Sequence, residues 1–264
     1  MRIYNCADPS CSSGNARYLA TSGDPGEGIA LVLRPDGRPL IAYIEGSSDT
    51  LHVYSCADAN CAGGTNTTLE SPVRAGSIDV ALRADGRAVI AYVSASTALL
   101  RTWHCANLDC TAGASLEHNL YPTGVAIAIR PDGRPLLAAG GNAGSADSPR
   151  FWDCADAACS SGTLRPTTGV LYQEVKAMRL RADGRALLLT SQFFGAAGIV
   201  ACSDVNCTSA NGIAVAGCTR TSDADLAMRA DGTAVIACAS GSSGSSLFGL
   251  VLHDCTNASC SSGS

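Results

Sequence analysis

The stretch "RPDGRPLIAY" at residues 34–43 returns four more times along this chain of 264 residues. The other copies align with it without gaps: "RADGRAVIAY" at 83–92, "RPDGRPLLAA" at 130–139, "RADGRALLLT" at 181–190 and "RADGTAVIAC" at 229–238. Their first residues are 49, 47, 51 and 48 positions apart. Self-similarity at a period of roughly 20–50 residues is typical of propellers and solenoids, so the repeat takes precedence over any local pattern.

Each repeat predicts four antiparallel strands, named A, B, C and D in chain order. Large apolar residues alternate with smaller ones before each Asp-Gly pair, as in "IALVLR" at 29–34, and this period of two predicts strand A. The Asp-Gly pair predicts a two-residue hairpin turn with positive φ at both residues. The apolar run "RPLIAY" at 38–43 predicts strand B, buried on both faces. Strand C ends at a cysteine, and the most polar strand, D, follows.

Twelve of the fourteen cysteines form six pairs, each enclosing four residues. The pairs are Cys6/Cys11, Cys56/Cys61, Cys105/Cys110, Cys154/Cys159, Cys202/Cys207 and Cys255/Cys260. We interpret them as local disulfides. Zinc is the alternative, but a structural zinc site needs four ligands, and these pairs lie about 50 residues apart without a recurring histidine. So many paired cysteines indicate an oxidising compartment.

Cys218 and Cys238 stand outside the six pairs. The predicted strand order places Cys218 in the loop that enters the last repeat and Cys238 at the end of its strand B. Both then lie on the same face, which predicts a seventh disulfide; two buried free thiols are the alternative.

The strand inventory is five A, five B, six C and five D. Five inner strands predict five blades in one domain over residues 1–264, with the N-terminal D strand completing the last blade. One C strand is then surplus, either residues 2–6 or residues 248–255. It can lie at the rim of the closing blade, pair with another copy through its exposed edge, or mark the chain as a segment of a longer array.

The order strand, Pro-Asp-Gly or Ala-Asp-Gly turn, strand, loop, strand resembles the blade of the WD40-like and TolB-like β-propellers. Residues Pro35, Asp36 and Gly37 and their four equivalents carry this resemblance. The cysteine loops are similar to those of secreted bacterial propeller repeats with one C-x-D-x-x-C loop per blade. The resemblance implies an all-β, five-bladed propeller of four-stranded antiparallel blades with disulfide-closed C–D loops, and it implies no activity.

Composition narrows the classes of partner. The net charge is -5 with no basic block, so we expect no nucleic-acid partner. No apolar run approaches the ~20 residues that span a bilayer. Repeat sequence follows Met1 directly, without a signal peptide, so we expect that a natural leader was removed or the chain trimmed. We expect a secreted, extracellular protein without cofactor or metal.

Binding is expected on the face that carries the B–C and D–A loops, because these loops vary whereas the A–B turns and cysteine loops are nearly uniform. The expected ligand is carbohydrate or protein at a surface, in a lectin-like manner, between blades. The candidate ligand-binding residues are Glu45, Asp49, Arg74, Tyr172, Phe193, Phe194 and Arg220. The alternative function is a structural protein that self-assembles into an oligomer or filament by exchange of its spare terminal strand.

Catalysis is not expected, and no catalytic residue is assigned. The four histidines fall at different repeat positions without an evident Ser/Asp or Cys partner: His52, His104, His118 and His253. Asp79 and Asp225 lie on inner strands, where a carboxylate pair can bind a metal or transfer protons. Channel-lining polar residues are the simpler interpretation of both, and a propeller hydrolase or lyase is the third-ranked function.

Two further series recur once per repeat. Arginines flank the Asp-Gly turns on both sides, as Arg34 and Arg38 do, except at the last turn, which has Arg229 alone. They can collect anions, but we expect them to pair with the turn aspartate or to extend along the blade. Aromatic residues stand two positions before the first cysteine in four units, at Tyr4, Tyr54, Trp103 and Trp152. They can hold sugar rings, but we expect them to belong to the core.

Overall fold

The computed structural model describes residues 1–8, 12–19, 24–140, 148–168, 174–191, 197–218, 220–240, 249–261 and 263. Within these ranges every regular element is a β-strand, and none is a helix. No helix long and apolar enough to cross a membrane therefore occurs in the described chain.

The strands follow the order expected from the repeats. The A strands are β3 (Pro25–Leu33), β7 (Val73–Leu82), β11 (Val125–Ile129), β15 (Glu174–Leu180) and β19 (Arg220–Met228). The B strands are β4 (Pro39–Glu45), β8 (Ala88–Ser94), β12 (Pro135–Ala139), β16 (Ala186–Ser191) and β20 (Ala234–Ser240). The C strands are β1 (Arg2–Cys6), β5 (Thr50–Cys56), β9 (Leu100–Cys105), β13 (Arg150–Cys154), β17 (Ala197–Cys202) and β21 (Gly249–Asp254). The D strands are β2 (Gly14–Tyr18), β6 (Gly64–Glu70), β10 (Gly113–His118), β14 (Gly162–Pro166) and β18 (Ala210–Ala214).

The strands form two compact units, Met1–Glu117 and His118–Ser264. The first unit holds the pair β1-β2 and the four-stranded sheets β3-β4-β5-β6 and β7-β8-β9-β10. The second unit holds the four-stranded sheets β11-β12-β13-β14 and β15-β16-β17-β18 and the three-stranded sheet β19-β20-β21. The expected all-β, five-bladed propeller fold with antiparallel sheets is confirmed. Closure of the last blade by the N-terminal strand stays a prediction.

The core lies between neighbouring sheets and is built around the B strands. As the apolar runs predict, β8, β12 and β16 are buried along their whole length. In the first unit, Leu40 and Ile44 of β4 share a cluster with Val80 of β7 and Ile90 of β8. Blade faces are therefore joined by aliphatic packing, and the D strands remain the most exposed.

The A–B turn differs from the predicted two-residue hairpin. Arg34 N–H donates to Arg38 O at 3.0 Å, and Gly37 N–H donates to Arg34 O at 2.8 Å. The loop therefore has three residues, and only Gly37 has a positive φ, of 79°. A type I turn closed by a left-handed glycine is the common three-residue hairpin, and it leaves the aspartate in an ordinary conformation. The Asp36 carboxylate accepts the Arg38 N–H at 3.0 Å and so caps the turn.

The cysteine pairs are disulfides, not metal ligands. Bonds join Cys56–Cys61, Cys105–Cys110, Cys154–Cys159, Cys202–Cys207, Cys218–Cys238 and Cys255–Cys260. The seventh disulfide predicted from topology is thus present. Cys6 is also disulfide-bonded, while its predicted partner Cys11 lies outside the described residues.

Each cysteine loop carries its own polar cap. The Asp58 carboxylate accepts the N–H groups of Asn60 at 2.8 Å and Ala62 at 3.1 Å. Cys61 then takes a left-handed conformation with φ of 52°. The aspartate or asparagine of the C-x-D-x-x-C pattern is therefore a turn-forming residue, because its side chain replaces a backbone acceptor.

Candidate functional site

The predicted site residues of the first unit do not share one contact network. Glu45, at the end of β4, lies 3.7 Å from Nε2 of His52 and accepts a hydrogen bond from Ser48. Asp49 has a positive φ of 48°, and its carbonyl accepts the Val73 N–H at 2.7 Å. Asp49 therefore shapes the B–C turn. Its role in ligand binding, like that of Glu45, stays a prediction.

The remaining predicted site residues divide between described and undescribed chain. Arg74 is exposed near the start of β7. Arg220 begins β19, and its backbone is paired with that of Ala239. Tyr172, Phe193 and Phe194 lie outside the described residues. Ligand binding by these five residues stays a prediction.

A polar cluster missed at the sequence level lies where two sheets of the first unit meet, and we call it the Glu70 cluster: Glu70, Tyr92, Arg101 and Glu117. The buried Tyr92 hydroxyl donates to Glu70 at 2.5 Å, and the Arg101 guanidinium is ion-paired with the same carboxylate. Arg101 also lies 3.6 Å from Glu117, whose other partner is the Thr97 hydroxyl at 2.8 Å. One guanidinium thus bridges two carboxylates from neighbouring sheets.

The position of the Glu70 cluster matches the face on which ligand binding is expected. Glu70 ends a D strand, Tyr92 is near the end of a B strand, and Arg101 is near the start of a C strand. These strand ends carry the B–C and D–A loops, opposite the Asp-Gly turns. Burial, and secondarily the hydrogen bond to Glu70, raises the pKa of Tyr92, so its hydroxyl remains a donor at neutral pH.

The signal for this cluster was weak in the sequence. Tyr92 occupies the same repeat position as Tyr43, but in the first sheet Tyr43 stacks on His52, with ring centroids 5.1 Å apart. The two equivalent tyrosines therefore contact different side chains, and the repeat pattern alone does not predict which contact each of them makes.

The candidate proton-transfer residues on the inner strands have local partners. Asp225 lies 3.4 Å from the Arg179 guanidinium of the same unit. Asp79 accepts the N–H of Val80 at 2.9 Å. Both observations agree with the simpler interpretation of these aspartates as polar residues of inner strands.

The flanking arginines separate into two roles, only one of which was expected. The second arginine pairs with its turn aspartate, as Arg38 does with Asp36 at 2.7 Å. The first arginine turns inward: Arg34 Nη2 donates to the carbonyl of Cys56 at 2.9 Å, and Nη1 lies 2.5 Å from Asp109 of the next sheet. Arg34 is therefore a cross-sheet connector. Other first arginines bond strand C of their own sheet, as Arg130 does at Asp153 and Arg229 at Asp254.

The recurring aromatic residues lie against glycines. A methyl group added at Gly64 would lie 2.5 Å from Tyr54 Cε1, and one at Gly113 or Gly162 would meet Nε1 of Trp103 or Trp152. The ring covers the glycine at the start of the neighbouring D strand. This contact is structural, and it accounts for the glycine eight positions after the first cysteine. Of the four aromatic residues expected in the core, Tyr54 is buried, whereas Tyr4 is half-exposed.

Comparison with known proteins supports the fold and identifies no family. No protein-family model matches the chain, and no curated protein matches it. The chain is similar to a solved structure of unknown function from Dyadobacter fermentans, with a TM-score of 0.65 at 10% identity over 94% of this chain and 83% of that one.

Two solved enzymes also have this fold. An endo-arabinase from Bacteroides thetaiotaomicron matches with a TM-score of 0.54 at 10% identity, over 88% of this chain and 96% of that one. A GH43 β-xylosidase/α-arabinofuranosidase from a compost metagenome matches with a TM-score of 0.52 at 14% identity, over 92% and 93%. The exclusion of an enzyme is therefore wrong, because glycoside hydrolases have this fold, while a fold by itself assigns no activity.

Proposed function

We propose that the protein is a secreted, carbohydrate-active propeller that binds oligosaccharide hydroxyls at the Glu70 cluster. The observation that carries the proposal is the Arg101 guanidinium held between the carboxylates of Glu70 and Glu117 at the loop-bearing strand ends. The endo-arabinase and the β-xylosidase of the same fold support the choice of pentose-containing glycans as first ligands.

The chemistry of the cluster suits neighbouring hydroxyl groups. A carboxylate accepts hydrogen bonds from two hydroxyls, and a guanidinium donates several in one plane. Hydrogen bonds from Tyr92 and Thr97 hold the carboxylates of Glu70 and Glu117 in place. These groups are therefore already oriented before a ligand binds. Because both carboxylates are paired with one cation, they serve as acceptors, and recognition is the role that this geometry supports best.

The disulfides support the proposed secreted location. Six described bonds in a chain of 264 residues are typical of secreted proteins. The turn and cysteine motifs support a finer assignment, to secreted propeller repeats of the WD40-like or TolB-like kind.

The test is calorimetric titration of the oxidised protein with arabino- and xylo-oligosaccharides, with release of reducing ends followed in the same samples. We expect saturable binding by the native protein and a loss of about tenfold or more in affinity for Glu117→Gln, since a hydrogen bond to a charged group contributes about 1.5–3 kcal/mol. Arg87→Met is the matched control, because Arg87 lies at the opposite end of the same sheet and bonds its own turn aspartate, Asp85.

Absence of binding to both glycan series by the folded native protein would contradict the proposal. Equal oligosaccharide affinities of Glu117→Gln and the native protein would show that the ligand does not bind at the Glu70 cluster. Release of reducing ends that depends on Glu117 would make the same cluster part of a hydrolytic site.

A further inference from the structure

The last cysteine loop of the chain has a histidine where the other loops have a different side chain. Two positions before the first cysteine stand, in chain order, Tyr4, Tyr54, Trp103, Trp152, Val200 and His253. A methyl group added at Gly263 would lie 2.5 Å from His253 Nε2, as one at Gly113 would lie 2.4 Å from Trp103 Nε1. The imidazole of His253 therefore occupies the same place over its loop as the indole of Trp103.

The His253 ring lies beside the disulfide of this loop. A ring nitrogen of His253 and the Sγ atoms of Cys255 and Cys260 all lie within 4.8 Å of one another. The two cysteines are bonded to each other, so the imidazole faces a disulfide and not a pair of thiols. Among the described residues, no other cysteine loop has a histidine nitrogen this close to both of its sulfur atoms.

In other respects the last loop matches its counterpart in the second sheet. Cys255 and Cys260 are 3% and 2% exposed, and Cys105 and Cys110 are 1% and 0% exposed. The Cα atoms of the two pairs are 4.7 and 4.8 Å apart, and both pairs have a sequence separation of 5. Burial and loop size therefore do not distinguish the two disulfides, whereas the neighbouring ring does.

The ring type matters because imidazole gains and loses a proton near neutral pH, which indole and phenol do not. A positive charge beside a cysteine lowers the pKa of its thiol, and a disulfide opens faster when the leaving thiol has a lower pKa. The adjacent carboxylate of Asp254 already has a partner, since it lies 2.5 Å from the Arg229 guanidinium. Side chains of consecutive strand residues also point to opposite faces, so Asp254 points away from the face of His253.

We propose that the Cys255–Cys260 disulfide is a site of exchange with low-molecular-mass thiols, and that His253 donates the proton to the leaving sulfur. The incoming thiolate forms a bond to one Sγ atom, the Sγ–Sγ bond breaks, and its electron pair goes to the other Sγ atom. That sulfur takes the proton of the His253 imidazolium, which becomes neutral imidazole. The incoming sulfur is oxidised and the leaving sulfur is reduced, so the products are one mixed disulfide and one cysteine thiol.

The consequence is a reversible modification of one loop. The thiol is attached at the end of β21, while the loops that carry Tyr54, Trp103 or Trp152 exchange more slowly because their rings supply no proton. This exchange is independent of oligosaccharide binding at the Glu70 cluster, since the two sites share no residue.

The test is the opening rate of each loop in the oxidised, folded chain treated with 2-mercaptoethanol at about pH 7. Alkylation at timed intervals and peptide mass spectrometry identify the cysteines that have opened. We expect Cys255–Cys260 to open about fivefold or more faster than Cys105–Cys110, which is the size of a charge interaction at this distance in a solvated site. His253→Trp introduces the ring of the second-sheet loop and should lower the rate at Cys255–Cys260 to that at Cys105–Cys110. Trp103→His makes the reciprocal change and should raise the rate at Cys105–Cys110 by a similar factor.

His52→Gln is the control, because it removes a histidine whose ring stacks on Tyr43 in the first sheet, and it should leave both rates unchanged. Circular dichroism checks that each variant is folded. Equal rates at the two disulfides of the native chain overturn the proposal, and so does a faster rate at Cys255–Cys260 that persists in His253→Trp. If His253→Trp does not fold, an unchanged rate at Cys105–Cys110 in Trp103→His overturns the proposal instead.

Discussion

The Arg34 guanidinium lies 2.5 Å from the carboxylate of Asp109 and joins the hairpin turn of one sheet to the disulfide loop of the next. The same side chain donates to the carbonyls of Cys56 at 2.9 Å and Leu108 at 3.2 Å. In the first unit, the turn motif that contains Arg34 and the cysteine motif that contains Asp109 therefore contact each other. This contact lies at the end of the sheets opposite the B–C loops. In the other sheets the corresponding arginine bonds strand C of its own sheet, as Arg181 does at the Cys202 carbonyl.

Replacing Arg34 should measurably destabilise the fold. Arg34→Met removes bonds to three carbonyls and a carboxylate, and we expect a loss of about 2 kcal/mol in the free energy of unfolding, since a hydrogen bond to a charged group contributes about 1.5–3 kcal/mol. Arg38→Met is the control and should cost clearly less, because exposed ion pairs contribute little. Urea denaturation of both variants measures the difference, and equal losses would contradict the connector role.

The glycine that begins strand D should not tolerate a methyl group. A Cβ at Gly64 meets the Tyr54 ring and the Ser55 carbonyl, whereas a Cβ at Gly63 meets nothing within 4 Å. We expect Gly64→Ala to cost about 2 kcal/mol of stability, as overpacking commonly costs 1–3 kcal/mol. Gly63→Ala should be close to neutral. Denaturation midpoints of the two variants provide the comparison, and a neutral Gly64→Ala would show that the ring moves aside without cost.

The regularity of the repeat is why so much of the fold could be predicted from the sequence. Period-two alternation before Arg34 and the apolar run after Arg38 each have one structural solution, so strands A and B were identified by pattern alone. The pairing of Cys218 with Cys238 followed from strand order, because two loops at the same end of a blade bring distant residues together. The segments between strands B and C show where the period stops being informative, since they differ in length and residue from one copy to the next.

Contacts between sheets were not predictable in the same way. Asp109 lies 75 positions from Arg34, and nothing in the period indicates which arginine of a turn faces inward. The turn itself was assigned one residue too short, because Asp-Gly occurs both in two-residue hairpins and in three-residue hairpins that end with a left-handed glycine. The Glu70 cluster was missed because its members come from four different strands of two sheets.

The disulfide outside the cysteine loops should contribute more stability than a loop disulfide. Cys218 and Cys238 are 20 positions apart in the sequence, whereas Cys105 and Cys110 are 5 positions apart. In the chain-entropy model these spans correspond to about 3 and about 2 kcal/mol. We expect the double variant Cys218→Ala/Cys238→Ala to unfold at lower urea than Cys105→Ala/Cys110→Ala. The reverse order would show that the cysteine loops stabilise the native blades directly, beyond their effect on the unfolded chain.

Acid should weaken the fold through the aspartates that cap turns and loops. Hydrogen bonds from Arg87 lower the pKa of Asp85, those from Ser55 and then Arg34 lower that of Asp109, and those from Thr208 lower that of Asp204. A carboxyl group whose pKa is lower in the folded state stabilises the fold above its unfolded pKa of about 3.9, and this contribution disappears as the pH falls through the folded value. The melting temperature should therefore be nearly constant from about pH 7 to pH 5 and fall steeply below about pH 4. Calorimetric scans of the native protein and of Asp109→Asn test this, and the variant should show the smaller fall. A melting temperature that is unchanged down to about pH 2 would mean that these capping bonds contribute no net stability.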